Sequence, residues 1–291
     1  MVEWSAMTDM PTRSFALPDL RIVPVRSLVP HEHHDEHRTA PLTRTIQGQG
    51  MLRNPPIVTP LPGSADERYV VLDGANRTAA AEAAGLPHLA VQVVPYEEPS
   101  VRLLTWNHAL TGIDGTALLR LLDQVPGLSR RTENVAHARA LLARREILAY
   151  ALTPGSEAIA LSADGDFAAR NVVLNAAVAS YRTVAKVYRV GPDSLELALE
   201  RIPDAGALAV FPHYDPAEIL ELAATGAMLP AGITRHLIAW RALRVNLPLD
   251  LLADRERSRE EKEAWVRRWM RERLEQNHVR YYEESTVLFD E

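Results

Sequence analysis

Two short segments of this 291-residue chain carry residue types suited to phosphate and carboxylate groups. The first is Tyr69-Val70-Val71-Leu72-Asp73-Gly74-Ala75-Asn76-Arg77-Thr78. An apolar strand here runs into a glycine turn and then a helix. That order gathers free backbone N–H groups at one point, with the positive end of the helix dipole behind them. Arg77 offers a two-pronged fork for phosphate oxygens. Asn76 and Thr78 add neutral hydrogen bonds, and Asp73 can hold a metal–water shell or orient a substrate hydroxyl. The same residues also suit an ordinary helix cap with Arg77 in a surface ion pair. The second segment is Leu229-Pro230-Ala231-Gly232-Ile233-Thr234-Arg235-His236. Its turn precedes an apolar stretch with Leu237, Ile238, Trp240 and Leu243, which the spacing presents as a helix. Thr234, Arg235 and His236 would then reach a ligand at the helix start, and Arg235 could grip a carboxylate. An exposed cap with a salt bridge is the plainer alternative. Trp106-Asn107-His108 is a further candidate wall of the same cleft.

A third polar segment, His31-Glu32-His33-His34-Asp35-Glu36-His37, leaves three readings open. His31-Glu32 begins like a zincin motif, but the required second histidine falls at Asp35. His33 and His37 are four apart and could pair on a helix face as metal ligands. The segment could equally be a solvated turn, or one of its acids could act as a base or a magnesium-linked group.

Composition narrows the chemistry. The chain has no cysteine, which excludes disulfides, thiolate nucleophiles, Fe–S clusters and cysteine-based zinc sites. Of its 32 basic residues only Lys186 and Lys262 are lysines, so phosphate handling falls to arginine and backbone amides. There is no P-loop, no GxGxxG and no GxSxG serine. The net charge of −6 and a pI near 6.0 disfavour a generally basic nucleic-acid surface. No apolar run reaches the roughly 18 residues of a membrane span, and the N-terminus lacks the pattern of a secretory signal. The cytoplasm is the expected compartment.

These residues need elements to hold them. Short strands are expected at Ile22–Val25, Ile57–Thr59, Tyr69–Leu72 and Leu89–Val94, with a helix after the Asp73 turn closed by Gly85. That makes residues 20–96 one α+β unit. Residues 97–291 read as mainly helical. Val101–Ala109 and Gly115–Leu122 are short helical candidates, and Thr132 is the expected cap of a longer helix reaching Leu148. Phe167–Val187 is helix or strand in parts. Asp215-Pro216-Ala217-Glu218 is a strong helix start ending at Gly226, and Ser258–Gln276 is a polar helix with one apolar face.

Pro30-His31-Glu32, Asn54-Pro55-Pro56-Ile57-Val58 and Val71-Leu72-Asp73-Gly74-Ala75-Asn76-Arg77-Thr78 together resemble the ParB/sulfiredoxin-like superfamily. More narrowly they resemble its free L-serine kinases. Leu229–His236 and the closing Val279-Arg280-Tyr281-Tyr282-Glu283-Glu284-Ser285 are similar to the siderophore-pathway branch that makes O-phospho-L-serine. The resemblance implies an α+β fold, with a ParB/sulfiredoxin-like N-terminal domain and a mostly helical C-terminal domain completing the cleft. It implies a kinase that moves a phosphoryl group from ATP or ADP, with Mg²⁺, to the hydroxyl of free L-serine. Glu32 maps to the general base. Asp73 maps to the catalytically important acid of the turn, which would act through magnesium or by orienting the substrate. Gly74, Ala75, Asn76, Arg77 and Thr78 map to the nucleotide-phosphate site. Many members carry histidine where this chain has Ala75 and Asn76, which puts a histidine countercharge there in doubt. Serine itself needs a carboxylate partner, for which Arg235 with Thr234, His236 and His31 is expected. The expected partners are serine and nucleotide, with no nucleic acid and no membrane, in a monomer or homodimer. The alternative is a ParB-like DNA-binding or nucleotide-sensing regulator.

Overall fold

The apolar run Tyr69–Leu72 is buried throughout, and its alternation assigns it to two cores at once. Val70 and Leu72 join one hydrophobic cluster, while Tyr69 and Val71 join another. A strand with two buried faces belongs inside a sheet, and the computed structural model places it there. It describes residues 17–34, 50–63, 66–96, 101–155 and 157–280. The first sheet is built from β1 (Leu20–Pro24), β2 (Leu28–Pro30), β4 (Ile57–Pro60), β5 (Tyr69–Asp73) and β6 (His88–Val93), with the short β3 (Met51–Leu52) outside it and helix α1 (Ala75–Ala83) after β5. The strand order is β1-β6-β4-β5-β2. β5 lies antiparallel to β4 and parallel to β2, so Pro30 stands opposite Val71 and the chain after Pro30 emerges beside the end of β5.

The chain continues through β7 (Val101–Thr105), β8 (Asn107–Thr111), α2 (Gly115–Leu122), β9 (Ser129–Glu133), α3 (Val135–Ala143), β10 (Ala149–Leu152), β11 (Ala158–Ser162), α4 (Phe167–Arg182), β12 (Lys186–Val190), α5 (Leu195–Leu199), β13 (Ala207–Val210), α6 (Pro216–Thr225), β14 (Thr234–Ile238), β15 (Leu247–Pro248), α7 (Leu249–Ala253) and α8 (Arg259–Glu275). Among the described residues after 96, helical residues outnumber strand residues, as expected. Sequence reading missed the six-stranded antiparallel sheet on which the helices pack, ordered β12-β8-β13-β10-β11-β9. Two ribbons, β7 with β14 and β3 with β15, join distant parts of the chain.

Several local expectations are corrected. Val101–Ala109 is not helical: it forms β7 and part of β8, because pairing with β14, β12 and β13 outweighs the weak local preference of Val-Arg-Leu-Leu. Thr132 lies inside β9. The cap of the following helix is Asn134, whose side chain accepts from the Ala136 amide, and that helix ends before Arg145 at φ 63°. The stretch from Thr234 to Ile238 is a strand, not a helix start. The caps with a complete local signal do form. Glu218 accepts from the Asp215 amide at 2.7 Å with Pro216 in the first turn, and α6 ends at Gly226 with φ 76°. Ser258 and Glu261 make the reciprocal box that opens α8.

The C-terminal elements return to the first sheet. Val245, Leu247, Leu249, Leu251, Leu252 and Val266 share a core with Ile22, Val71, Ala80 and Ala81. Lys262 locks this return. It is fully buried, and its ammonium donates to the Leu252 and Asp254 carbonyls and to His88 Nδ1 on β6. Burial lowers its pKa. Lys186 is exposed on edge strand β12, above the Tyr188 ring. Lys262 is thus committed to backbone carbonyls and His88.

Candidate functional site

Glu32 follows β2 by two residues and is held by a loop two hundred positions away. Leu229 bridges this segment on both sides: its amide donates to His31 O at 2.8 Å, and its carbonyl accepts from the His33 amide at 2.9 Å. The loop then turns at Gly232, with φ 77°. That backbone conformation favours glycine, and a β-carbon there would also push the Arg189 guanidinium aside. The turn aims the Gly232 amide at Glu32 Oε2, 3.2 Å away, and the Thr234 hydroxyl donates to the same oxygen at 2.8 Å. Oε2 is thereby engaged twice, while Oε1 has no protein donor among the described residues.

The loop is pinned from beneath by the second sheet and α4. Asn171 and Asn175 both donate to the Met228 carbonyl at 2.9 Å, and Arg182 donates to the Ala231 carbonyl at 3.0 Å. His108, fully buried, links Tyr181 (2.7 Å) to the Gly232 carbonyl (3.2 Å). Burial pushes its pKa down to about 3, so the imidazole is neutral and Nε2–H serves that carbonyl.

His31 and His236 lie behind the carboxylate. Each is buried, 2% and 8% exposed, and the rings meet edge to face at 5.3 Å. Burial lowers both pKa values, and for His236 the neighbouring His31 adds to it. His31 Nδ1 lies 2.6 Å from the Val71 carbonyl, and Nε2 lies 2.9 Å from the Thr234 hydroxyl. His236 bonds to the Leu72 backbone, and its Nε2 lies 2.6 Å from the Tyr96 hydroxyl. The carbonyl of Val71 accepts only, so the neutral His31 carries its hydrogen on Nδ1. Its bare Nε2 and Glu32 Oε2 then compete for the single hydrogen of Thr234. Three contacts share two hydrogens, and a proton arriving at Oε2 would complete the chain.

The Asp73 turn forms as expected. Gly74 adopts φ 100°, and a β-carbon would come within 3.0 Å of Pro56 and Arg77. Helix α1 starts at Ala75, so the amides of Ala75, Asn76 and Arg77 precede its first intrahelical bond, Thr78 N to Gly74 O. Thr78 is 6% exposed, and its hydroxyl has no hydrogen-bond partner among the described residues. Arg77 donates to Asp73 Oδ2 at 2.8 Å and to the Asn54 carbonyl at 3.0 Å. Arg241 donates to the same Asp73 oxygen.

Strand alternation along β14 divides the second segment. Thr234 and His236 face inward, and Arg235 lies on the other side, its guanidinium 4.2 Å above the Trp106 ring. His31, Thr234 and Glu32 thus meet in one hydrogen-bonded group, with His236 against it. Asp73 to Thr78 form a second group on the end of the same strand β5, and Arg235 stands apart on Trp106. With both nitrogens of His31 engaged by protein atoms, it is not free to ligate a metal. Asp35, Glu36 and His37, like Tyr281–Ser285, lie outside the described residues. Among the described residues no cluster of three or more His, Asp or Glu could hold a metal ion. Sequence reading missed Gly232 as an amide donor, His108 and α4 as supports, and Arg241. Only the glycine of the Pro230–Gly232 turn gave a local signal.

No protein-family model matches the chain. It is similar to an ATP-dependent L-serine kinase of Staphylothermus marinus, at 25% identity over 240 residues, 79% of this chain and 90% of the relative. It is similar to the ATP-dependent L-serine kinase SbnI of Staphylococcus aureus, at 25% identity over 236 residues, 80% and 84% of the two chains. Its fold matches a free serine kinase solved in complex with AMP, with a TM-score of 0.70 and 17% identity, covering 81% of this chain and 95% of the other. The chain is thus similar in sequence to L-serine kinases along most of its length, and it shares the fold of a free serine kinase.

Proposed function

We propose that this chain is a free L-serine kinase, transferring the terminal phosphoryl group of ATP or ADP to the serine hydroxyl to give O-phospho-L-serine. The observation that carries the reading is the Glu32 carboxylate, held through Oε2 by the Gly232 amide and the Thr234 hydroxyl. Its other oxygen is left for a substrate proton. The serine hydroxyl has a pKa far above 7, so Glu32 takes its proton as the serine O–P bond forms and the P–O bond to the departing nucleotide breaks. Barrier lowering comes from in-line positioning and from countercharge on the transferred oxygens. The amides that open α1, with Gly74, Asn76, Arg77 and Thr78, are the donors for that charge. The unpartnered Thr78 hydroxyl supports a polar ligand at this turn.

Asp73 is the one carboxylate at the turn, and two arginines already face it. That suits a magnesium ion arriving with the nucleotide, taking most of its oxygens from phosphate and water. When bound, such an ion would neutralise phosphate charge. Arg235, braced on Trp106, is the fork for the serine carboxylate. His31, Thr234 and His236, with their polar atoms turned into the protein, act by positioning Glu32. In this reading residues 20–96 supply base and phosphate turn, and residues 97–291 complete the serine side. No helix among the described residues is long and apolar enough to cross a membrane. With a cysteine-free sequence, the cytoplasm is the compartment we assign.

Phosphorus NMR of the protein with L-serine, Mg²⁺ and either ATP or ADP should show O-phosphoserine growing with time. Absence of product with both donors rejects the kinase. Arg235→Ala should raise the serine KM about 10-fold or more and leave the nucleotide KM within about 2-fold. The opposite split would assign Arg235 to the donor. Thr234→Val should lower kcat by about 10²-fold, while Thr234→Ser restores most of it. Equal losses in both would show that the hydroxyl does not position the base.

A further inference from the structure

Asp73 Oδ2 receives guanidinium hydrogens from two directions. Arg77 comes from the first turn of α1 and is tied back to the Asn54 carbonyl. Arg241 comes from the segment after β14, 168 positions away. One carboxylate between two guanidinium groups leaves an excess positive charge at a point where the dipole of α1 is already positive. Such a cluster is matched for an anion carrying more charge than one carboxylate.

The segment that delivers Arg241 is built for placement. Trp240, Arg244 and Asn246 all adopt left-handed backbone, with φ of 59°, 53° and 53°. Non-glycine residues hold such conformations only where surrounding contacts enforce them. Here Gln92 of β6 clamps both sides of Arg241: its amide donates to the Trp240 carbonyl at 3.0 Å and its oxygen accepts from the Ala242 amide at 2.8 Å. Asn54 accepts from the Arg244 amide at 2.8 Å, and the Arg53 carbonyl accepts from Asn246. Asn54 therefore orders both arginines, Arg77 through its carbonyl and the Arg241 segment through its side chain. Arg241 is 36% exposed and lines a cavity of about 310 Å³ with Trp240, Arg244 and Trp269.

We propose that Arg241 is a nucleotide-phosphate ligand, and that Asp73 holds it in place until a di- or triphosphate takes over the guanidinium. The exchange is an ion-pair swap: phosphate oxygens replace Asp73 Oδ2 on Arg241, and the carboxylate is released to face magnesium or substrate. It rests on the kinase reading only for the choice of nucleotide as ligand.

The test is calorimetric titration of ADP in EDTA into the full chain and its variants, with thermal unfolding of each to confirm folding. Arg241→Ala should weaken ADP binding about 10- to 100-fold, and Arg241→Lys should keep part of the affinity. Asp73→Asn should bind ADP more tightly than the natural protein, because the competing carboxylate is gone. Unchanged affinity in Arg241→Ala, or weaker binding in Asp73→Asn, overturns the proposal while leaving the kinase reading standing. No ADP binding by the natural protein overturns both.

Discussion

Glu32 Oε2 is a point where the two halves of this molecule meet in one carboxylate oxygen. Its donors, the Gly232 amide and the Thr234 hydroxyl, come from a loop that the second sheet holds through Asn171, Asn175, Arg182 and His108. Its own backbone is carried by the first sheet through β2 and the Leu229 bridge. With Oε2 held and no donor to Oε1 among the described residues, Glu32 would serve the proposed reaction as a directed base. Its direction depends on side chains far from the reacting atoms, so precision in this site is a property of the loop's supports.

Burial makes that arrangement work. His31, His108 and His236 are all held neutral by desolvation, and a neutral imidazole presents one donor and one acceptor in fixed directions. His31 spends its donor on Val71, on the strand that ends in Asp73, and turns its acceptor toward Thr234. The proposed base and the proposed phosphate turn are thereby referenced to one strand. At the proposed phosphate turn the basic side chains are arginines. Arg77 is anchored, Arg241 is half exposed, and both meet Asp73. The buried lysine, Lys262, fastens α7 and α8 to β6 instead.

Much of this was legible wherever the information was local. The Asp73–Thr78 turn needed a glycine at positive φ with an apolar strand before it, and both are written in consecutive residues. The caps at Asp215 and Ser258 are equally local. What stayed hidden depends on partners far away in sequence. Val101–Ala109 has no decisive local preference and becomes strand only because β14, β12 and β13 lie alongside it. Thr234-Arg235-His236 has the local pattern of a helix start because Leu237, Ile238 and Leu243 suit helical spacing, yet pairing with β7 makes it a strand and sends Arg235 to the opposite face from its neighbours. Arg241 carried no motif at all: its role follows from a clamp by Gln92 and a strained backbone that no local pattern announces.

In the proposed reaction Glu32 accepts a proton from serine. Glutamine preserves the side chain's length and an oxygen for Gly232 and Thr234, and removes only the basicity. Measured side by side, Glu32→Gln should bind nucleotide within about 3-fold of the natural protein and lose about 10²- to 10⁴-fold in serine phosphorylation. Turnover that survives the substitution would contradict the central claim and place the base elsewhere.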